Sequence, residues 1–433
     1  MHRTNSWPTG FLLSLLVVLP AGSALAQVAQ EDGRYLEEII VTATKRTMSQ
    51  QEAPIAITTI TSQDIANTFG NDPRLIAELT PNVTLTNQTG FNAIAGGIRG
   101  TGSLSILTTQ DPSTGIMVDE FVLNHVQSQF VELYDIEQIE VYRGPQGTLF
   151  GKNSTGGVIA ITSKRPDLEE FGADIEVTYG QYDRDGSTSD ITKFSAGIDI
   201  PIIEGVLGFR FAGMYDANEG YYKNNKPAGT AVVEAFPVDA PGLMLAAGFP
   251  DAVPLYALLG LDVADLPPGL DTNAKGANEQ LNDKEVFAGK AKLLWTPNDF
   301  YTGLFTYERV RDNSDSPPGV NETPTAENFL LEQLGFPGIQ VTGRGNDPYV
   351  TGSTQQGNGV NLRDGHTVDV DGYYVTQDFN FESFSIRSIS GYRYQEETLG
   401  STYTGEAFLS LFDASRNLER DQYQQEIRVV TDF

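Results

Sequence analysis

The sequence predicts a compact α+β domain followed by the strands of an antiparallel β-barrel, and three observations carry that prediction. Between residues 52 and 166, short helical signals alternate with β-branched runs and glycine-rich turns. Beyond Pro166 the chain repeats segments of strict apolar–polar alternation, joined by connections that are either very short or very long. A leader of the secretory type places the product outside the cytoplasm.

In the leader, Arg3 precedes the apolar run "FLLSLLVVL" and small residues that end in Ala24, Leu25 and Ala26, so residues 1–26 read as a signal peptide. The run is well short of the ~20 residues that span a bilayer as a helix. Residues 27–51 read as a mobile arm holding one β-branched run, "LEEIIVTATKR". A formal charge of −29 argues against nucleic acid as a partner. With no cysteine, disulfides and thiolate chemistry are excluded. Removal of the leader takes His2 with it and leaves His125 and His366, too few for a multi-histidine metal site. We therefore assign no catalytic residue, no metal and no cofactor.

Within residues 52–166, "PIAITTI" reads as a strand, and Thr61 or Ser62 caps a short helix running to Phe69. Asp72 and Pro73 start a second helix, with Leu75, Ile76 and Leu79 on one buried face and Pro81 as its stop. After the glycine-rich "TGFNAIAGGIRGTGS" come the strand "GIMVDEFVL" and the strands "IEQIEVY" and "GGVIAITS", the last two flanking the turn-rich "RGPQGTLFGKNST". His125 is expected to satisfy a local hydrogen bond.

Residues 167–433 supply the barrel strands. In "FGADIEVTYGQY", Ala173, Ile175, Val177 and Tyr179 share one face, opposite Asp174, Glu176 and Thr178. The pattern recurs in "FSAGIDIPI", "LGFRFAGMY" and "FAGKAKLLW", the last with Lys290 and Lys292 on the polar face. Tight turns at "PIIEGV" and "TPNDF" contrast with long links over residues 217–284 and 311–366, the asymmetry of an outer-membrane barrel. A soluble β-sandwich also alternates, but it leaves the aromatics near strand ends, such as Tyr179, Tyr215, Trp295 and Tyr392, without a reason. About eight strands can be counted, whereas a barrel that encloses a domain needs ~22. The expectation is an N-terminal portion of a longer protein with an incomplete barrel.

The block "IEQIEVYRGPQGTLFGKNSTGGVIAITSKRP" resembles the end of the plug domain of TonB-dependent outer-membrane receptors, and "GGIRGTG" and "IMVDEFVL" extend the likeness upstream. "EEIIVTATKR" resembles the TonB box, placed at residues 37–46, with Glu38, Ile39, Ile40, Val41, Thr42 and Ala43 as its contact residues. The resemblance implies a cell outer-membrane location in a Gram-negative envelope, with the arm in the periplasm. It implies uptake of a scarce extracellular ligand of the ferric siderophore class, with TonB, ExbB and ExbD as the energising partners and outer-membrane lipid around the barrel. It also implies plug arginines that latch onto barrel glutamates. Arg99 and Arg143 match by their glycine-flanked context, and Glu426 is the candidate partner, since it lies opposite the apolar Ile427 and Val429. Asn87, Phe91, Asn92, Leu104 and Gln110 are candidate ligand contacts at the plug apices. "GTLFGKNST" is not a phosphate-binding loop, because its glycines are one residue too close and Asn153 stands where Ser or Thr is required. The alternative reading is a passive barrel or adhesin without energised transport.

Overall fold

The computed structural model describes residues 40–41, 45, 48–68, 72–87, 94–103, 111–129, 131–184, 187–220, 222–223, 233–234, 280–281, 283–314, 319–320, 350–351, 356–357, 360–361, 366–402, 409–410 and 413–431. A first small hairpin pairs β1 (Ile40–Val41) with β2 (Met48–Ser49). Then follow β3 (Ile57–Thr61), α1 (Ser62–Ala66), α2 (Arg74–Leu79), β4 (Val83–Asn87), β5 (Ile94–Ile98) and β6 (Thr101–Ser103). The N-terminal domain is completed by β7 (Thr114–Val118), β8 (Phe121–Leu123), β9 (Ile136–Arg143), α3 (Gly147–Phe150) and β10 (Gly157–Ser163).

Local chemistry explains these elements. The Thr61 hydroxyl accepts from the Asp64 N–H at 3.2 Å while the Asp64 carboxylate accepts from the Thr61 N–H at 2.9 Å, a reciprocal cap that starts α1. This helix stops at Ala66, short of the expected Phe69, which lies outside the described residues. Asp72 accepts from the Arg74 N–H at 2.8 Å and starts α2, whose Leu75 and Ile76 are buried. One expectation fails: "GIMVDEFVL" is not one strand but the hairpin β7–β8. Asp119 and Glu120 both adopt positive φ, 47° and 67°, and make the tight reversal that Asn-Gly usually makes. Side chains hold that strained pair, as the seam below shows.

The domain's main sheet runs β3-β9-β10-β7-β8, with β10 and β7 parallel and its other pairs antiparallel; β4-β5-β6 form a second sheet. Its larger core packs Ile60, Ile76, Ile98, Ile139 and Ile159 between the sheets and helices. A second cluster joins Val41 to Ile57, Met117, Tyr142 and Val158.

The rest of the chain is an eight-stranded antiparallel wall. It comprises β11 (Gly172–Arg184), β12 (Ser187–Ile203), β13 (Leu207–Asn218), β17 (Lys284–Asn298), β18 (Tyr301–Asp312), β23 (His366–Asn380), β24 (Phe384–Thr402) and β26 (Asp413–Thr431), in that order. Two-residue ladders decorate its long connections: β14 (Tyr222–Lys223) with β16 (Gln280–Leu281), β15 (Val233–Glu234) with β25 (Leu409–Ser410), β19 (Gly319–Val320) with β20 (Val350–Thr351), and β21 (Gln356–Gly357) with β22 (Val360–Asn361). Turns of two or three residues join β12 to β13, β17 to β18 and β23 to β24 at one end. The links of residues 219–283 and 313–365 leave from the other.

Burial sorts the two faces of the wall in the inverse sense to a soluble sandwich. Ile175, Val177, Tyr423 and Ile427 lie on the outer face at 67–76% exposure, whereas Arg210, Lys292, Arg393 and Glu397 on the inner face are buried. Across β18, β23, β24 and β26 the outer face carries a row of Tyr307, Tyr373, Tyr392 and Tyr423, with neighbouring ring centroids 4.9–6.4 Å apart. A second aromatic group, including Trp295, Tyr301, Phe300 and Phe379, sits by the tight turns. Six residues separate Tyr307 from Tyr301, about 20 Å at ~3.3 Å per residue, comparable with an apolar band between two aromatic girdles.

The N-terminal domain seats against the inner face, and from Ile40 to Phe433 the chain forms one compact unit. Phe121, at the start of β8, packs on Tyr374 with ring centroids 4.9 Å apart. The seat exists because position 391 is glycine: a Cβ there would stand 2.5 Å from the Phe121 ring. Gly391→Ala is expected to lower the thermal stability of the seated domain by about 1–3 kcal/mol, as overpacking does. Adding Phe121→Leu should recover part of that loss, and a double-mutant cycle from melting curves checks the coupling.

Candidate functional site at the seam between domain and wall

Where the N-terminal domain meets the wall, the inner-face charges are met one by one. Lys292 of β17 is 1% exposed, and its Nζ donates to the Ser163 hydroxyl at 2.6 Å and to the Lys164 carbonyl at 2.9 Å. The same ammonium lies 3.2 Å from the Asp119 carboxylate, which also accepts from the Ser163 N–H at 2.8 Å. Burial alone would raise the Asp119 pKa, but Lys292, Lys290 and the Ser163 bonds outweigh it and bring it down to about 2. The strained β7–β8 turn is therefore anchored by charge at its first residue.

Its second residue is anchored too. Glu120 accepts from Arg428 of β26 at 3.0 Å and lies 3.6 Å from Arg387 of β24. Gln424 of β26 takes the Val122 N–H at 2.9 Å and gives its amide to the Glu120 carbonyl at 2.8 Å, while Gln422 donates to the Val122 carbonyl. Glutamine side chains thus complete the backbone edge of β8, where a neighbouring strand would otherwise be needed.

The segment just before β9 meets two basic residues of the wall. Glu132 lies 3.1 Å from Lys284 of β17, which also holds Asp216 of β13 at 2.9 Å. Asp135 accepts from the Arg210 Nε of β13 at 3.0 Å, and Arg210 also pairs with Asp199 of β12. Burial, with Asp312 and Asp216 nearby, outweighs the pull of Lys284 and raises the Glu132 pKa to about 7. Higher on the wall, Ser128 donates to Gln395 at 2.9 Å and accepts from Arg420 at 3.0 Å.

The N-terminal hairpin is also tied to the wall. Val41 is fully buried, and Lys45, between β1 and β2, donates to Glu426 of β26 at 2.5 Å while lying 5.7 Å from the centre of the Phe150 ring. Arg428 completes the cluster, 2.9 Å from Glu426.

Glu426 faces inward as the alternation requires, but the structure pairs it with Lys45 and Arg428 rather than with either glycine-flanked arginine. Arg99 is exposed at the β5–β6 turn, where its positive φ of 53° and that of Gly100, 75°, reverse the chain. Arg143 ends β9 with its N–H on the Ala56 carbonyl. Glycines beside these arginines serve backbone geometry. His125 does not find its expected bond at Nδ1, which is buried without a partner, and burial and Arg420 lower its pKa.

Of the expected TonB-box residues, Ile40 and Val41 form β1, and Glu38, Ile39, Thr42 and Ala43 lie outside the described residues. Asn87 ends β4 opposite Ile94; Phe91, Asn92, Leu104 and Gln110 lie outside the described residues. Reasoning from sequence missed Lys45, Asp119, Glu120, Glu132, Asp135 and Gln424. Only Gln424 carried a signal, as an amide on the inward row of β26; the other five lie in turns and connecting segments of the N-terminal domain, where no periodicity marks them.

Comparison with known proteins decides the nature of the N-terminal domain. Residues 49–158 match the family described as TonB-dependent Receptor Plug Domain. Those residues are a TonB-dependent receptor plug. The ferrioxamine B receptor of Salmonella typhimurium is 28% identical over 190 residues, 42% of this chain and 26% of its own. The iron-regulated outer membrane virulence protein of Vibrio cholerae is 29% identical over 189 residues, 41% of this chain and 27% of its own. The solved ferric yersiniabactin uptake receptor of Yersinia pestis shares the fold over 88% of this chain and 46% of its own, with a TM-score of 0.57 at 15% identity. The matches span about a quarter of the curated relatives' length and under half of that solved structure. The family is one of non-enzymatic transporters.

The seam makes two predictions. Because the folded Glu132 holds its proton up to about pH 7 while the unfolded carboxyl releases it near 4.5, stability should fall as pH rises across that window. Melting between pH 4.5 and 7.5 should show this decline, and Glu132→Gln should flatten it. For the hairpin, Glu426→Gln removes the charge that holds Lys45. Hydrogen exchange at the Val41 amide should then accelerate about tenfold, the equivalent of ~1.4 kcal/mol.

Proposed function

We propose that this chain is part of an outer-membrane receptor for energised uptake of a scarce extracellular ligand, a ferric siderophore or a similar iron complex. The observation that carries the reading is the seating of a plug on the polar inner face of a wall whose outer face is apolar and banded with aromatics. Such a wall suits lipid outside and an aqueous lumen inside. Relatives named as ferrioxamine B and ferripyoverdine receptors support the ligand class.

In this reading the plug closes the lumen, and its seam of ion pairs and glutamine bonds holds it in place. Such bonds can be exchanged for bonds to water at modest net cost, so the seal is firm yet reversible. Energy arrives from the periplasm: TonB, driven by ExbB and ExbD, takes the segment Glu38 to Ala43 by strand addition. Because Val41 is buried and β1 is paired with β2, the box has to leave its hairpin before it can be added to another sheet. Lys45–Glu426 and Glu120–Arg428 act as the latch, in place of Arg99 and Arg143. Asn87, Phe91, Asn92, Leu104 and Gln110 remain the proposed apical ligand contacts.

Uptake of a panel of radiolabelled ferric chelates by cells carrying the full-length gene product tests the reading. At least one chelate should enter TonB-competent cells and not cells lacking TonB; equal uptake in both would sink it. Ile40→Pro removes a ladder N–H from the box and should abolish uptake while leaving surface binding intact.

A further inference from the structure

One buried imidazole takes no part in the seam described so far. His366 opens β23 at the end of the wall from which the long links leave, and it is 3% exposed. Its Nδ1 lies 3.9 Å from a carboxylate oxygen of Asp312, the last residue of β18, and its Nε2 lies 3.8 Å from one of Glu397 on β24. Both carboxylates are buried as well, and Nε2 makes no hydrogen bond. The two ring nitrogens face different acids, so the three groups do not converge on one point as metal ligands do.

A neutral imidazole carries one N–H and one lone pair, so in this position it would turn a lone pair on one of two buried carboxylates. An imidazolium offers an N–H to each. The distances are too long for hydrogen bonds and short enough for ion pairs, so the geometry suits the protonated ring. Both carboxylates also lead onward to the plug. Gln395, two residues before Glu397, donates to it and to the Gln127 carbonyl, each at 3.4 Å, and accepts from Ser128 at 2.9 Å. On the other side, burial together with Asp312 and Asp216 favours the protonated form of Glu132, against the pull of Lys284. Next along the inner face, Arg393 and Glu308 lie 3.8 Å apart and face each other. Gln127, Ser128 and Glu132 of the plug are thus joined to the charge on His366 from two directions.

We propose that His366 is a proton-operated clamp: with its proton it draws Asp312 and Glu397 together and holds Gln127, Ser128 and Glu132 of the plug against β18, β23 and β24. As the pH rises the proton leaves to water, the carboxylates lose the cation between them, and this part of the plug loosens. The bonds from Lys292, Gln424 and Arg428 keep the rest of the plug seated. Because the carboxylates are buried, the loss of the charge between them is poorly screened by solvent. The proposal rests on the transport reading above in one respect, which is that this end of the wall faces the external medium. The pH outside the cell then sets how firmly the plug is held.

Hydrogen exchange in the full-length receptor tests the clamp, read at the amides of Gln127, Ser128 and Glu132 and corrected for the pH dependence of unstructured amides. Glu132 titrates in the same window, so the measurement is made in the Glu132→Gln variant. There, protection at these amides should fall about tenfold or more between pH 5.5 and 8.5. Adding His366→Gln should leave protection low and flat across that range. Adding His366→Lys, which keeps a positive charge throughout, should leave it high and flat. A flat profile in Glu132→Gln alone overturns the clamp, and so does a step of unchanged size after His366→Gln. Energised uptake of a ferric chelate by cells carrying the unaltered receptor is scored separately. Its absence overturns the transport reading, whereas the exchange profiles need no transport and decide the clamp by themselves.

Discussion

The structure depends on one constraint: the inner face of the wall buries charges that have to be paired by the plug. Lys292 shows the constraint most clearly, being 1% exposed and surrounded by acceptors that belong to Asp119, Ser163 and Lys164. Taking away one partner of such a buried ion costs about 3–5 kcal/mol, whereas an apolar replacement of the whole set can be neutral. The pairs are therefore poor devices for bulk stability and good devices for position. They fix where the β7–β8 turn sits against β17 and β26, and that turn in turn sets the seat of Phe121 over Gly391.

Much of the fold was legible because it rests on local periodicity. Alternation of period two survives in any register, so Phe194, Phe211 and Leu293 could be placed on one face before any pairing was known. The caps of α1 and α2 were legible for the same reason, since Thr61 with Asp64 and Asp72 with Arg74 are separated by two or three residues. The β7–β8 hairpin was not, because its left-handed residues are Asp and Glu. Their cost is met by Ser163, Lys292 and Arg428, which are 44 to 308 residues away in the chain.

The pairing of Glu426 was half legible. The inward direction of Glu426 follows from its apolar neighbours on β26, yet its partner is separated from it by 381 residues. Glycine-flanked arginines drew attention because glycine marks unusual backbone, and here the unusual backbone is simply the Arg99–Gly100 turn. Nothing local distinguishes Lys45 from Lys152 or Lys164. Only the closure of the hairpin against Phe150 and β26 gives Lys45 its role.

That hairpin has a mechanical meaning beyond its chemistry. A pull on the chain upstream of Ile40 meets a two-residue antiparallel ladder, which opens one pair at a time rather than all at once, so it yields at low force. Further along the chain Lys45 is clamped to a strand of the wall and lies over the Phe150 ring of the plug, while Val41 packs among plug residues. Tension that opens the ladder is thus shared between the wall, through Glu426, and the plug, through the cluster that holds Val41. The ladder and the clamp together set a threshold below which weak or transient tugs leave the seam in place.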